Sequence, residues 1–127
     1  MNYQQLIDSN PVGSGYIILK FLAYHVGREN AIKRRDLLEQ LHTYPGLKDM
    51  QDRHLRIEIN RLRKEGQLIC SAACEDGGYF MAGSLEEYTE FAQRELGAKI
   101  ADMSATLRAM EQAARQQFGD SYQPTLI

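Results

Sequence analysis

The sequence predicts a mainly α-helical domain of the α+β class, with one small β-hairpin and a long C-terminal helix. Three observations predict it. Apolar residues recur at helical spacing through residues 16–62. Two short β-compatible runs then flank Glu75-Asp76-Gly77-Gly78, whose Asp-Gly and Gly-Gly steps supply the positive φ angles of a hairpin turn. From Leu96 to Ala114 the apolar residues alternate steps of four and three, the seam of a coiled coil or helix pair. A chain of 127 residues with 43% hydrophobic content has enough apolar surface for one core plus an appendage.

Taken in order, Tyr16 to Val26 is apolar almost all round, with Ile18 and Leu22 on one stripe and Ile17, Phe21 and Tyr24 on another. It reads as a first helix buried on several sides and ended by Gly27. Ala31-Ile32-Lys33 is a short extended candidate. Arg34 to Leu41 forms a second helix that buries Leu37, Leu38 and Leu41, and Tyr44-Pro45-Gly46 breaks the chain. A third helix starts near Asp49 or Asp52, either of which can cap it, and runs to Gly66. Its inner stripe is Leu55, Ile59 and Leu62. At ~100° per residue the opposite face holds Arg53, Ile57, Asn60 and Lys64, flanked by Arg56 and Arg61.

Leu68 to Ala72 and Tyr79 to Ala82 are the two strands of the hairpin. Ser84-Leu85-Glu86-Glu87 has the form of a capping box and opens a fourth helix that continues to about Gln117. Its first half presents Leu85, Tyr88 and Phe91 or Ala92 to the domain core. Its second half carries the seam Leu96, Ile100, Met103, Leu107, Met110 and Ala114, which requires a partner because water does not tolerate such a stripe. The same helix of a second subunit is the expected partner. Packing back along its own domain, with Gly97 as the bend, is the rival arrangement.

The net charge of -2 gives no bulk attraction to nucleic acid, but its distribution is uneven. Residues 28–66 hold ten basic and seven acidic side chains, and the remainder of the chain has a negative excess. Cys70 and Cys74 have no second Cys/His pair at zinc-site spacing, so no metal or cofactor is expected. His25, His42 and His54 fall on three different elements. There is no phosphate loop, G-x-S-x-G or H-E-x-x-H, and nothing in the sequence asks for catalysis. No stretch approaches the ~20 apolar residues of a membrane span. Residues 1–10 lack the pattern of a signal peptide, so a cytoplasmic address with no membrane contact is expected.

The order helix, short strand, helix, helix, hairpin, helix resembles a winged helix-turn-helix domain. Local phrases strengthen the resemblance over Arg34 to Phe91: Asp52-Arg53-His54-Leu55-Arg56, Leu62-Arg63-Lys64-Glu65-Gly66, Ile69-Cys70-Ser71 and Gly77-Gly78-Tyr79-Phe80-Met81-Ala82. Together they look like small bacterial and bacteriophage proteins of that class. The resemblance implies a DNA-binding role in transcription or replication, with double-stranded DNA as partner. A helix fits the major groove, where Arg bonds guanine and Asn bonds adenine, so Arg53, Arg56 and Asn60 are the candidates for base readout. Arg61 and Lys64, with Arg34 and Arg35 at the start of the second helix, are candidates for phosphate contacts. Against this, Glu75-Asp76 at the hairpin tip would be repelled by phosphate, and Ile57 on the outer face fits either a thymine methyl or a protein surface.

The expected organisation is an N-terminal segment over residues 1–13, the winged domain over 14–92, a dimerising helical extension over 93–118 and a tail over 119–127. The tail's Gln123-Pro124-Thr125-Leu126-Ile127 resembles the short peptide by which replication proteins dock on a sliding clamp, which would engage Gln123, Leu126 and Ile127. Pro124 and Ile127 depart from the commoner residues of that peptide. A protein-interaction adaptor on the same fold is the alternative function.

Overall fold

A computed structural model of the chain describes residues 13–72 and 78–119. The chain divides into two compact units between Phe91 and Ala92. In the first unit α1 (Ser14–Leu22), a single 3-10 turn (Arg28–Asn30), β1 (Ile32–Lys33), α2 (Arg34–His42) and α3 (Asp52–Lys64) precede β2 (Ile69–Ala72), β3 (Gly78–Met81) and α4 (Leu85–Phe91). The fold is therefore mainly helical, with a small antiparallel sheet in the order β1-β3-β2. The expected hairpin is present as β2 and β3, paired from Ile69 opposite Met81 to Ala72 opposite Gly78. The short strand at Ile32 adds a third member on the other side of β3.

One core joins these layers. Ile17, Ile18, Leu19 and Leu22 of α1 meet Leu37 and Leu41 of α2, Leu55, Ile59 and Leu62 of α3, and Ile69, Tyr79 and Met81 of the sheet. Helix α1 packs tightly on α3 at Gly15, where a Cβ would lie 2.5 Å from the Arg61 guanidinium and 3.2 Å from the Leu62 side chain. A second, smaller cluster gathers Cys70, Phe80, Ala82 and Phe91.

Four sequence expectations change. The first helix stops at Leu22 rather than Val26, because the sheet takes the backbone that follows: the Met81 amide donates to the His25 carbonyl at 2.8 Å and the Gly27 amide to the Met81 carbonyl at 2.9 Å. Tyr24, assigned to a buried stripe, is consequently 80% exposed. Neither Asp49 nor Asp52 caps α3. Gln51 does, in a reciprocal box with His54, and Asp52 is the first helical residue. Of the side chains expected to bring α4 onto the core, Phe91 is buried but Leu85 is 77% exposed and Tyr88 lies at the surface. A helix of only seven residues has room for one anchor, and Phe91 takes that role.

The capping box at Ser84 is present in altered form. The Glu87 amide donates to Ser84 Oγ at 3.2 Å. The Glu87 carboxylate, however, accepts from the Gly83 amide at 2.8 Å and from the Arg28 amide at 2.7 Å. With the Arg28–Glu90 ion pair, this fastens the 3-10 turn to the first two turns of α4. The second unit is a π-helical turn (Ala92–Gly97) followed by α5 (Ala98–Phe118), so the fourth helix of the sequence reading is interrupted. Gly97 closes that turn with ordinary helical angles. No helix among the described residues is long and apolar enough to cross a membrane.

The backbone amides of Arg28 and then Gly83 hold the Glu87 carboxyl below its usual range. A group depressed on folding contributes stability above its unfolded value, about 4.3 for Glu, and loses it as pH falls through the lower folded value. Glu87→Gln should therefore destabilise the protein at pH 7, by a margin that shrinks toward pH 3. Urea unfolding at the two pH values checks this, and an equal margin at both would refute it.

Candidate nucleic-acid interface

Helix α3 carries more basic side chains than any other element of the first unit, and its burial pattern decides which of them face outward. Leu55, Ile59 and Leu62 are buried, which turns Arg53, Ile57, Asn60 and Lys64 to solvent. Arg53, Arg56, Ile57 and Asn60 together line one shallow open recess. Three of the groups expected to read bases are thus adjacent on one surface. Among the described residues, the side chains of Arg53, Asn60 and Lys64 have no hydrogen-bond or ion-pair partner. Ile57, in the middle of this face, is 52% exposed.

The remaining candidates differ in how far neighbouring carboxylates occupy them. Arg34, at the start of α2, reaches Asp52 Oδ1 through Nε at 2.6 Å. Arg56 reaches Asp52 Oδ2 through its own Nε at 3.1 Å. The crossing of α2 and α3 thus brings Arg34 beside Arg56, a proximity invisible in the linear sequence. Arg35 is 3.8 Å from Asp36 and otherwise projects into solvent. Arg61 is placed quite differently. It donates to Glu58 at 2.9 Å and pairs with Glu65, while Glu58 also accepts from Ser14 Oγ at 3.1 Å. The Arg61 hydrogen bond is the main cause of the lowered Glu58 carboxyl, and Glu58 in turn raises Arg61. Glu58 therefore ties α3 to the start of α1, and Arg61 has two anions already on its guanidinium.

Sequence reasoning gave Arg63 no role beyond its charge and its place in the helix-end phrase. The Arg63 Nε donates to the Ile69 carbonyl at 2.8 Å and its Nη2 to Ser71 Oγ at 2.9 Å. Its guanidinium lies 4.9 Å from the Phe91 ring centre and 5.9 Å from that of Tyr79. The available signal was angular: Arg63 stands about 80° around the helix from Leu55, at the border of the buried stripe. Asp52 was likewise read only as a helix start.

The histidines are all engaged locally. His25 Nδ1–H donates to the Asn30 carbonyl at 2.8 Å, and His42 Nε2–H to the Met50 carbonyl at 2.7 Å. His54 belongs to the α3 cap. Cys70 is fully buried. Cys74, the hairpin tip with Glu75 and Asp76, and the clamp-like Gln123, Leu126 and Ile127 lie outside the described residues. In the second unit Leu96, Ile100, Met103 and Met110 are exposed and Leu107 and Ala114 are half-buried, and α5 has no buried residue. No family model, curated protein or solved structure matches the chain.

The opposed faces of α3 can be tested by a matched pair of truncations. Ile59→Ala removes a buried side chain and should cost about 2–5 kcal/mol of stability. Ile57→Ala, on the outer face, should stay within about 0.5 kcal/mol. Urea titrations of both variants measure the difference, and similar losses would mean that the helix is turned otherwise.

Proposed function

We propose that this chain is a winged-helix protein that binds duplex DNA by placing α3 in the major groove, in transcriptional regulation or replication. The observation that carries this reading is the outer face of α3, where Arg53, Arg56 and Asn60 border one open recess. An α-helix with its side chains is about 10–12 Å across and the major groove is about 12 Å wide. Arg53, Arg56 and Asn60 carry the donors and acceptor that distinguish guanine and adenine edges there. Arg34, Arg35 and Lys64 hold backbone phosphates around them. Arg61 takes no part in this contact, because Glu58 and Glu65 already surround it. The element order from α1 to β3, with the short β1 ahead of α2, supports the winged-helix assignment.

Binding should weaken as salt rises, since each phosphate neutralised releases counterions and contributes about 0.9 to the logarithmic slope. Replacing both Arg53 and Arg56 by Ala should weaken binding to duplex by at least about 10-fold, while Lys64→Ala should lower the slope by about one. Fluorescence anisotropy across a salt series reads both quantities. If the wild type binds no duplex at low salt, or the double variant binds equally well, a protein-interaction adaptor takes the place of this reading. The exposed Ile57 at the centre of the face favours that second reading.

The protein acts as a dimer in this proposal. A 21-residue helix with no buried residue, whose seam runs from Leu96 in the turn before it through Ile100, Met103, Leu107, Met110 and Ala114, is covered by its counterpart in a second copy. Two copies would also double a contact that one basic helix makes weakly. Light scattering should show a dimer for the native chain and a monomer after Ile100→Glu with Leu107→Glu. A native chain that is monomeric at tens of micromolar concentration would remove the dimer.

A further inference from the structure

Two arrangements of arginine and carboxylate flank α3, and they are opposites. On the side facing α1, one guanidinium is met by two anions, Glu58 and Glu65. On the side facing α2, one anion is met by two guanidiniums: Asp52 Oδ1 takes Arg34 Nε and Asp52 Oδ2 takes Arg56 Nε. The first arrangement saturates its cation. The second leaves a net positive charge, with the ten N–H donors of two guanidiniums set around one carboxylate.

The geometry points to Asp52 as the residue that determines sequence discrimination, by holding Arg34 and Arg56 as one preordered unit for neighbouring groups of a single DNA strand. This rests on the DNA-binding reading of α3 and deepens it. An unattached arginine on a helix surface samples many rotamers, and fixing it on a base edge costs that freedom at the moment of binding. Here the two carboxylate oxygens already stand 2.6 Å and 3.1 Å from the two Nε atoms. Both guanidiniums are gripped by one carboxylate, so the groups they reach are close together: Arg56 toward a base edge from within α3, and Arg34 toward the adjoining phosphate from the start of α2. All three side chains are about half exposed, so a duplex can approach them.

The carboxylate also has a cost that makes its role measurable. A negative charge beside the phosphate backbone opposes binding of any sequence. Asp52 therefore lowers general affinity while it sharpens recognition, and its removal should move the two in opposite directions. A residue that merely supported the helix would move both the same way.

The test uses the full-length protein, a duplex that the wild type selects from a random-sequence pool, and a scrambled duplex of the same composition. Asp52→Asn keeps the shape of the side chain and removes its charge. It should bind the scrambled duplex at least as tightly as the wild type does, with a salt slope steeper by about one. Its preference for the selected duplex should fall by about 10-fold, the scale of one good arginine–base contact. Arg34→Lys, an exposed change that keeps the charge, should lose several-fold in preference with the slope unchanged. Retained preference in both variants would overturn the positioning role. A parallel fall in affinity for both duplexes would also overturn it, by assigning Asp52 to support of the helix alone. If the wild type binds neither duplex, the DNA-binding reading itself fails, and that outcome is distinct from the other two.

Discussion

The Arg63 guanidinium is where the helical and β parts of the first unit are fastened together. It leaves the end of α3, bonds the Ile69 carbonyl and the Ser71 hydroxyl of β2, and lies against the rings of Tyr79 and Phe91. One side chain thereby sets the distance and the rotation of α3 relative to the hairpin and to α4. Its energetic weight is moderate. Each cation–π contact at a partly exposed site contributes about 0.5–1 kcal/mol, against the 2–5 kcal/mol lost when a core side chain such as Ile59 is truncated. The apolar core supplies most of the stability, and Arg63 supplies orientation. A helix can bury Leu55, Ile59 and Leu62 at slightly different rotations, whereas a guanidinium bonded at two points admits far fewer.

That fixed rotation is what gives the outer face of α3 its constant composition. Arg53, Asn60 and Lys64 stay in solvent, and the flanks are sorted by what each neighbouring helix supplies. Toward α1 the supply is Ser14, which bonds Glu58 of α3, and Glu58 in turn accepts from Arg61. Toward α2 it is a second arginine, Arg34, so Asp52 is shared. The number of basic residues on a helix is thus a poor measure of what it can offer to an anion. The ratio of carboxylates to guanidiniums at each flank is a better one.

Much of this was legible in the residues. The buried stripe and outer face of α3 follow from a spacing that α3 keeps over its whole length, and the hairpin follows from two β-compatible runs around Asp76-Gly77-Gly78. Most of what was not legible depends on partners distant in sequence, the α3 cap being the local exception. The end of α1 is set by Met81, the cap of α3 by a local exchange between Gln51 and His54, and the burial of Phe91 but not Leu85 by where a seven-residue helix meets the sheet. The same holds for the candidate site: the spacing sets Asp52 and Arg56 one turn apart on α3, but only the crossing of α2 and α3 shows that Arg34 joins them. A periodic pattern reports which face a helix buries and nothing about which charges its neighbours bring to the border of that face.

The position of Arg63 has a further effect at the rim of the sheet. An unpaired strand edge is a template on which other chains can add, and proteins guard such edges against aggregation. Here β1 is only two residues long. At the opposite rim, the Ile69 carbonyl is taken by Arg63 and the Ile69 amide by the Gln67 carbonyl at 2.9 Å. The outward-facing groups at the start of β2 are thus already satisfied from within the molecule, and a charged side chain lies across them. Addition of a stray strand is thereby opposed at the start of β2, so this end of the rim is guarded by the molecule's own groups.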